Sequence, residues 1–329
     1  MCEARYQVEM TEASPPPWQF DAADAAARGL AVRPRRLLVL HNPVAGWRRI
    51  ERFRETVAQL ERHGCPVAVH ATTGPGDAEA IAAGAEAADV LVVAGGDGTI
   101  NEALNGLSRR PSGMLPLGVI PLGTANVLAE ELGVPTDPAD VARAIAHGRI
   151  VTAHLGQAHF DGASRNFTLM AGAGIDAQAV ARVRTPVKRR FGKGAYVLAG
   201  LEAAAAYRYP TLRVQADGTW YDCAQVVVCK GHFYAGRYVL APDVRPWLPE
   251  LHVVLFERFG SVNAARYAFG MQFDRLAKMP DVRVVKATTV TIDGPTGDPI
   301  QGDGDLLGAL PVKIDLLPEA ARFVIGDPP

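Results

Sequence analysis

One carboxylate set among three glycines, Gly95-Gly96-Asp97-Gly98-Thr99, carries the clearest chemistry in this chain. Glycine lets a backbone approach a phosphate closely and aim its N–H groups at it. A carboxylate among phosphates holds Mg2+ or accepts a proton. Thr99 stands where it would cap a following helix, whose N-terminus attracts anions. The bland alternative is a strand-to-helix turn with a capping Asp. Two further turns repeat the pattern: Asn42-Pro43-Val44-Ala45-Gly46 and Pro121-Leu122-Gly123-Thr124-Ala125-Asn126. Each follows an apolar run and precedes helix-forming sequence. No Gly-x4-Gly-Lys-Ser/Thr segment is present, so the chain is not a P-loop ATPase.

The elements that must position these turns follow from periodicity. Strands are expected near 36–41, 66–71, 89–94, 117–120 and 150–155, with helices near 48–63, 77–88, 99–108, 125–132 and 138–147. That alternation predicts a doubly wound, parallel α/β domain over 34–155, and ligands of such sheets bind at the carboxyl ends of the strands. After residue 156 the pattern changes. Short alternating runs (Thr211 to Gln215, Cys223 to Cys229, Leu251 to Phe256, Val282 to Lys286, Thr288 to Ile292) are joined by Gly, Pro and Asp turns, with Asp217-Gly218 a hairpin signal. This predicts an antiparallel β domain over 156–310, interrupted by helices within 175–207 and 261–278. Residues 311–329 hold two further strands, Val312 to Ile325. Residues 1–33 lack a clear period and read as an extension outside the fold, disordered or with a short helix at Asp21 to Arg28.

Composition sets bounds. With 329 residues there is room for two cored domains. A net charge of −1 gives no global basic field of the kind nucleic-acid binders carry, so no nucleic-acid partner is expected. No apolar run approaches bilayer-spanning length, and no basic stretch followed by an apolar core stands at the N-terminus. Cys2, Cys65, Cys223 and Cys229 show no Cys-x-x-Cys spacing, which suits reduced thiols and a cytoplasmic protein. His154 and His159 would point to opposite faces of a continuous strand, so no zinc site is expected from them.

The three turn motifs resemble the diacylglycerol kinase catalytic domain, whose superfamily includes bacterial soluble lipid kinases, sphingosine kinases and ceramide kinases. Ala171-Gly172-Ala173-Gly174-Ile175-Asp176-Ala177 is similar to the glycine-aspartate segment opening that family's second domain, and Gln301-Gly302-Asp303-Gly304-Asp305 to its late Asp-Gly-Glu motif. The resemblance runs from about Arg36 to Ile325. It implies a two-sheet sandwich for the second domain and a chain end that returns toward the first. It implies ATP- and Mg2+-dependent phosphorylation of a lipid hydroxyl, with diacylglycerol the default acceptor and ceramide or a sphingoid base the rival. It places ATP against Asn42, Pro43, Gly46, Thr72, Gly95, Gly96, Asp97, Gly98, Thr99, Ile100, Asn101, Gly123, Thr124 and Asn126, with Mg2+ on Asp97. It puts the general base at Asp305, where the family has Glu, and Asp97 is the second choice. The bland alternative for Asp303-Gly304-Asp305 is a hairpin turn. Asp176 corresponds to the residue that recognises a lipid head in related kinases; helix capping is the alternative reading. Asp97→Asn is expected to abolish transfer and leave the fold intact.

The chain departs from the family at one place. Many bacterial members carry Asp-Gly within Ala-Pro-x-Ala-x-x-x-Asp-Gly, part of an auxiliary cation site. Here Leu248-Pro249 stands in that position, and leucine cannot ligate Mg2+. A cluster of Arg182, Arg184, Lys188, Arg189, Arg190 and Lys193 beside Val187 and Phe191 suits an anionic membrane surface, or else a solvated helix end. The resulting expectation is a cytoplasmic protein, peripheral at the inner membrane surface, with homodimerisation left open. NAD kinase shares the Gly-Gly-Asp-Gly-Thr signature and is a second enzyme reading. A catalytically weak lipid- or nucleotide-binding regulator is a third, motivated by positions 248–249 and 305.

Overall fold

Four short, largely aliphatic runs make the first sheet: Leu37–His41 (β1), Val67–Ala71 (β2), Val90–Gly95 (β3) and Leu117–Pro121 (β4). They pair in parallel in the order β2-β1-β3-β4. β3 and β4 are buried along their whole length, as parallel strands covered on both faces must be. β2 is the edge strand and is mostly exposed. In the computed structural model, residues 33–46, 49–110, 113–160, 162–182 and 207–326 are described. Residues 1–32 of the expected extension and the basic cluster from Arg184 to Lys193 lie outside them.

The helices of this half are Pro43–Gly46 (α1), Ile50–Arg62 (α2), Asp77–Ala83 (α3), Asp97–Leu107 (α4), Val127–Glu131 (α5) and Pro138–His147 (α6). α4 buries Thr99, Ile100, Ala103, Leu104 and Leu107, one stripe at helical spacing. α6 starts conventionally, with Asp137 accepting hydrogen bonds from the Ala139 and Asp140 N–H groups and Pro138 in the first turn. α5 is shorter than its sequence suggests because Asn126 sits in the left-handed region, at φ 50.

The fifth strand differs from expectation. Arg149–Phe160 (β5) does not extend the parallel sheet but pairs antiparallel with Ala163–Phe167 (β6) and with the last strand. Periodicity marks a strand without naming its partner. The later strands are Met170–Ala173 (β7), Leu212–Ala216 (β8), Thr219–Cys223 (β9), Gln225–Cys229 (β10), Phe233–Tyr234 (β11), Tyr238–Val239 (β12), Leu251–Phe256 (β13), Val282–Ala287 (β14), Thr289–Asp293 (β15), Pro299–Gly302 (β16), Asp305–Ala309 (β17) and Val312–Ile325 (β18). Asp217 and Gly218 both have positive φ and turn β8 into β9, as the hairpin signal required.

β18 is one strand of 14 residues, where the sequence suggested two. The register slips between Leu317 and Ala321. Pro318 and Glu319 lie there, the latter at φ 51. Proline cannot donate to a ladder, so the interruption reads as a break in sequence but is a bulge in the fold. β18 pairs with β15 at its start and, through Phe323 opposite Leu117, in parallel with β4 near its end. One ten-stranded sheet thereby runs through both halves. The second sheet is antiparallel, in the order β14-β13-β10-β7-β16-β17. Phe167, Leu212, Val214, Val226, Val228, Val253, Ile292 and Ile314 fill the sandwich between the two sheets. The fold class is thus an α/β domain followed by an antiparallel β-sandwich. Among the described residues its inserted helices are Ile175–Arg182 (α7) and Ser261–Gln272 (α8), the latter shorter than 261–278 because a 3-10 turn, Leu276–Lys278, closes that segment. Residues 183–206 of the helical segment expected within 175–207 lie outside the described residues.

The departure at Leu248-Pro249 acquires a physical counterpart. Lys230, at the end of β10, is wholly buried. Its Nζ donates to the carbonyl oxygens of Arg245 (2.8 Å), Leu248 (2.7 Å) and Glu250 (3.4 Å). An ammonium thus ties down the loop by its carbonyls. Burial pulls this lysine down to about 8, against the opposing charges of Glu250 and Glu131. Lys230→Met should strand these carbonyls and destabilise the fold by roughly 1–3 kcal/mol, read from urea unfolding. An unfolded lysine keeps its proton to about pH 10.4. Between about pH 8 and that value the unfolded state holds more protons, so the wild type should gain stability relative to the methionine variant as pH rises. Identical urea midpoints at every pH would refute this role.

Candidate active site

The three expected turns come together because their strands are neighbours. The Asn42 N–H donates to the Ala94 carbonyl at 3.0 Å, and the Leu122 and Gly123 N–H groups both reach the Gly95 carbonyl, at 3.0 and 3.1 Å. The Asn42 side-chain amide donates to Thr99 Oγ1 at 2.9 Å, and its oxygen accepts the Val44 N–H. Pro43 opens α1 and Gly46 closes it. Thr72 follows β2, its N–H on the His41 carbonyl and its side chain buried. The side chain of Ile100 lies in the core. Thr124 is exposed.

The glycines at the crevice are required by close approach. A Cβ on Gly123 would lie 2.6 Å from the Gly96 Cα, and one on Gly95 would lie 3.0 Å from Thr99 Oγ1. The second and third turns therefore touch backbone to backbone, in a cradle that any side chain would fill. This suits a nucleotide phosphate group. Arg49, at the start of α2, donates to the Gly123 carbonyl and brings a guanidinium to the same place. It stands three residues beyond Gly46, and its proximity to the turn motif was its only sequence signal.

Asp97 is half-buried and engaged. Its Oδ1 accepts the Leu128 N–H at 3.0 Å and its Oδ2 the Val127 N–H at 3.1 Å. It supplies the cap that Asn126, in its left-handed conformation, does not give α5; the Asn126 amide instead reaches the Gly123 carbonyl at 2.9 Å. Burial raises the Asp97 carboxyl, the two N–H donors pull it down, and the Asp303 charge adds to the rise. Each oxygen keeps a further acceptor site. Among the described residues no cluster of three or more His, Cys, Asp or Glu could cage a metal. Mg2+ in nucleotide sites is commonly held by one or two carboxylates plus phosphate oxygens, a donor set that Asp97 fits.

From the other half, Asp303 and Gly304, at φ 51 and φ 88, form the two-residue turn between β16 and β17. The hairpin is therefore real, and it also positions chemistry. The Asp303 carboxylate accepts from Thr168 N (2.7 Å), Thr168 Oγ1 (2.9 Å), Leu169 N (2.9 Å), Met170 N (3.1 Å) and the Asn101 side chain (2.9 Å). Asn101 also donates to the Asn166 carbonyl. Held in this way, the next residue presents its carboxylate to the first domain: Asp305 Oδ2 lies 3.1 Å from where a Gly98 Cβ would be. Asp305 is exposed where Asp97 is half-buried.

Asp176 lies in the first turn of α7, but its oxygens go to Tyr234 and Gln301 rather than to the helix N-terminus. The Tyr234 hydroxyl donates to Oδ1, and the Gln301 amide donates to Oδ2 at 2.7 Å. A Cβ on Gly172 would lie 2.4 Å from Oδ2, so glycine there makes room for the carboxylate. Gln301 Oε1 accepts the Gly304 N–H at 3.0 Å, which links Asp176 to the turn carrying Asp305. Burial raises Asp176 and pushes Tyr234 well above its usual 10, so the hydroxyl stays protonated as a donor. Gln301 was legible only as a neighbour of the Asp-Gly motif. Tyr234, 58 residues from its partner, gave no sequence signal.

Residues 36–158 match the family described as the diacylglycerol kinase catalytic domain, and residues 170–325 match the YegS C-terminal NAD kinase beta sandwich-like domain. The chain belongs to the diacylglycerol kinase catalytic-domain superfamily. It is a kinase that transfers phosphate to a lipid hydroxyl. Among its curated relatives, proteins named diacylglycerol kinase from Staphylococcus aureus (strain bovine RF122 / ET3-1) and Staphylococcus saprophyticus are 28% and 27% identical to it. The alignments cover 85% and 84% of this chain and 89% and 91% of theirs. A diacylglycerol kinase structure from Bacillus anthracis str. Sterne superposes with a TM-score of 0.66 at 20% identity, covering 89% of this chain and 98% of that one. Yeast NADH kinase, solved with NADH, shares the fold more distantly, at TM-score 0.51 and 12% identity over 90% of this chain and 85% of its own.

The geometry revises one expectation about this kinase. Asp97→Asn replaces an acceptor facing a buried N–H, so it should destabilise the protein by about 1–3 kcal/mol as well as lower activity. Thermal or urea unfolding of the variant measures this. Unfolding unchanged from wild type would return Asp97 to a purely chemical role.

Proposed function

We propose that the protein is an ATP- and Mg2+-dependent kinase whose acceptor is a lipid hydroxyl of the diacylglycerol type. In this reading the turns at Asn42–Gly46, Gly95–Asn101 and Gly123–Asn126, with Thr72 beside them, hold the nucleotide. Backbone N–H groups face the phosphates, and Arg49 adds positive charge. Mg2+, when bound, neutralises charge on the phosphates, with Asp97 as its protein ligand. Positioning and charge neutralisation supply most of the rate in phosphoryl transfer.

Asp305 is the general base. The observation that carries this assignment is its exposed carboxylate against Gly98, opposite an Asp97 whose two oxygens already hold α5. Asp305 takes the proton of the acceptor hydroxyl as that oxygen bonds to the γ-phosphorus, and the bond to ADP breaks. The side chain is one methylene shorter than the family's Glu, and its Oδ2 still reaches to 3.1 Å from where a Gly98 Cβ would lie. Asp176, backed by Tyr234, recognises the polar head of the lipid. The enzyme would meet its acceptor as a peripheral protein at the cytoplasmic face of an anionic membrane. No helix among the described residues is long and apolar enough to cross one.

Labelled ATP offered with diacylglycerol, ceramide, sphingosine and NAD in parallel tests the reading. Label in diacylglycerol is the expected result, and label in NAD alone would overturn it. Asp305→Asn should lower kcat by roughly 10²–10⁴ with little change in KM for ATP, and Asp305→Glu should keep most of the activity. Near-normal kcat for Asp305→Asn would move the base elsewhere.

A further inference from the structure

α8 turns an apolar stripe toward solvent. Val262 is 81% exposed, Phe269 64% and Phe273, just past the last turn, 55%. These positions are seven and four residues apart, so they fall on one side of a helix. The opposite side is buried through Tyr267, whose hydroxyl donates to Asp281 at 2.7 Å. Phe269 and Phe273 lie with ring centroids 4.4 Å apart, and exposed Phe259 stands just before the helix. Single exposed apolar side chains are ordinary, but a contiguous row of this kind marks an interaction surface.

The charges around the row are mostly positive. Arg258, Arg266, Arg275 and Lys278 flank it, against one acidic residue, Asp274, between positions 258 and 278. Arg258 and Arg266 pair with Asp281. Arg275 and Lys278 are exposed at the C-terminal end. The helix also has a defined neighbour. It packs against β12, which pairs with β11, and β11 carries Tyr234 to the Asp176 carboxylate.

We propose that α8, through Val262, Phe269 and Phe273 with Arg275 and Lys278 at its end, is the face by which this kinase docks on an anionic lipid bilayer. The proposal rests on the lipid-kinase reading above and adds the surface that reading lacks. An amphipathic helix of this kind lies in the plane of the interface with its apolar side among the acyl chains and its basic residues at the headgroups. A bilayer fits better than a protein partner for two reasons. The row needs no shaped counterpart, and the ribbon beneath it leads to the residue proposed to read the lipid head.

The test is co-sedimentation of the full chain with vesicles of phosphatidylcholine alone and of phosphatidylcholine mixed equally with phosphatidylglycerol. Phe269→Glu/Phe273→Glu should lower partitioning on the mixed vesicles by roughly a hundredfold, because two apolar side chains lose their burial. Arg275→Glu/Lys278→Glu should lower it on the mixed vesicles only, with the difference shrinking as salt rises. These side chains are exposed, so far-UV circular dichroism and urea midpoints should match wild type. Should the glutamates disturb the helix, Phe269→Ser/Phe273→Ser gives a milder form of the same test. Wild-type partitioning by either folded phenylalanine variant would overturn the proposal. So would a wild-type dimer that the variant breaks into monomers with vesicle binding unchanged, since the row would then cover a second copy of the chain. Turnover of a short-chain acceptor dissolved as monomers should be the same for wild type and the phenylalanine variants. A wild type that binds vesicles yet phosphorylates no lipid would remove the lipid-kinase reading and leave the docking face standing.

Discussion

The carboxylate of Asp303 is the point on which the arrangement of the site depends. It accepts five hydrogen bonds: three backbone N–H groups and a hydroxyl from residues 168–170, and one amide from Asn101. Two carboxylate oxygens offer about four lone-pair sites, so this one is saturated. Hydrogen bonds to an ionised acceptor are about twice as strong as neutral ones. Four of the donors lie in the second half of the chain and one on α4, directly after the glycine turn. A single side chain therefore fixes the β16–β17 turn against β7 and against the α/β half together. Asn105 and Asn166 repeat the tie one helical turn further along, through reciprocal amide–backbone bonds of 3.1 and 2.9 Å. Without these ties the carboxylate of Asp305 would have no defined distance from Gly98, and a displacement of about 1 Å is enough to cost a catalytic group much of its effect.

A second constraint holds the segment just after β10. Lys230 reaches three carbonyls with its ammonium, and its own N–H and that of Gly231 reach the Leu169 carbonyl. The His232 and Phe233 N–H groups then reach Glu131 Oε2, at 2.8 and 3.1 Å, and the Tyr234 hydroxyl reaches Asp176. Glu131 is the last residue of α5, whose first turn Asp97 caps. Through this short helix the glycine-turn carboxylate and the Asp176–Tyr234 pair belong to one connected polar framework. Such a network rigidifies when every member is satisfied, because each unmet group in a buried setting is costly.

Much of the architecture could be read from the sequence because it follows local rules. Short aliphatic runs marked the four parallel strands, and the glycine and Asn-Pro turns marked the carboxyl ends of β1, β3 and β4. Asp217-Gly218 gave a hairpin. What could not be read is pairing. β5 has the composition of any half-buried strand, and only its partners, β18 and β6, make it antiparallel. Pro318 made β18 look like two strands, because proline at a bulge and proline between strands look alike in sequence. The helix start expected at residue 125 moved because Asn126 adopts a left-handed conformation that residue type permits but does not require.

The site shows the same division, and it separates two aspartates that sequence alone treats alike. Asp97 and Asp305 each follow a glycine in an acidic turn motif, and each could accept a proton. Burial and neighbours give them different work. Asp97 stands at the start of a helix and spends one lone pair on each of two N–H groups of another helix, 30 and 31 residues away. Its remaining lone pairs suit a cation better than a proton, because a proton would weaken the two bonds that α5 needs. Asp305 stands at the start of an exposed edge strand, β17, with Oδ2 3.1 Å from where a Gly98 Cβ would lie. The role proposed for Asp305 also fits the shape of the Asp-Gly-Asp turn. Its first aspartate holds five donors, and the hairpin then turns the second toward Gly98. Two carboxylates two residues apart can divide structure and chemistry between them only because both Asp303 and Gly304 take positive φ. Glycine does so at no steric cost, and aspartate is among the few other residues that tolerate it.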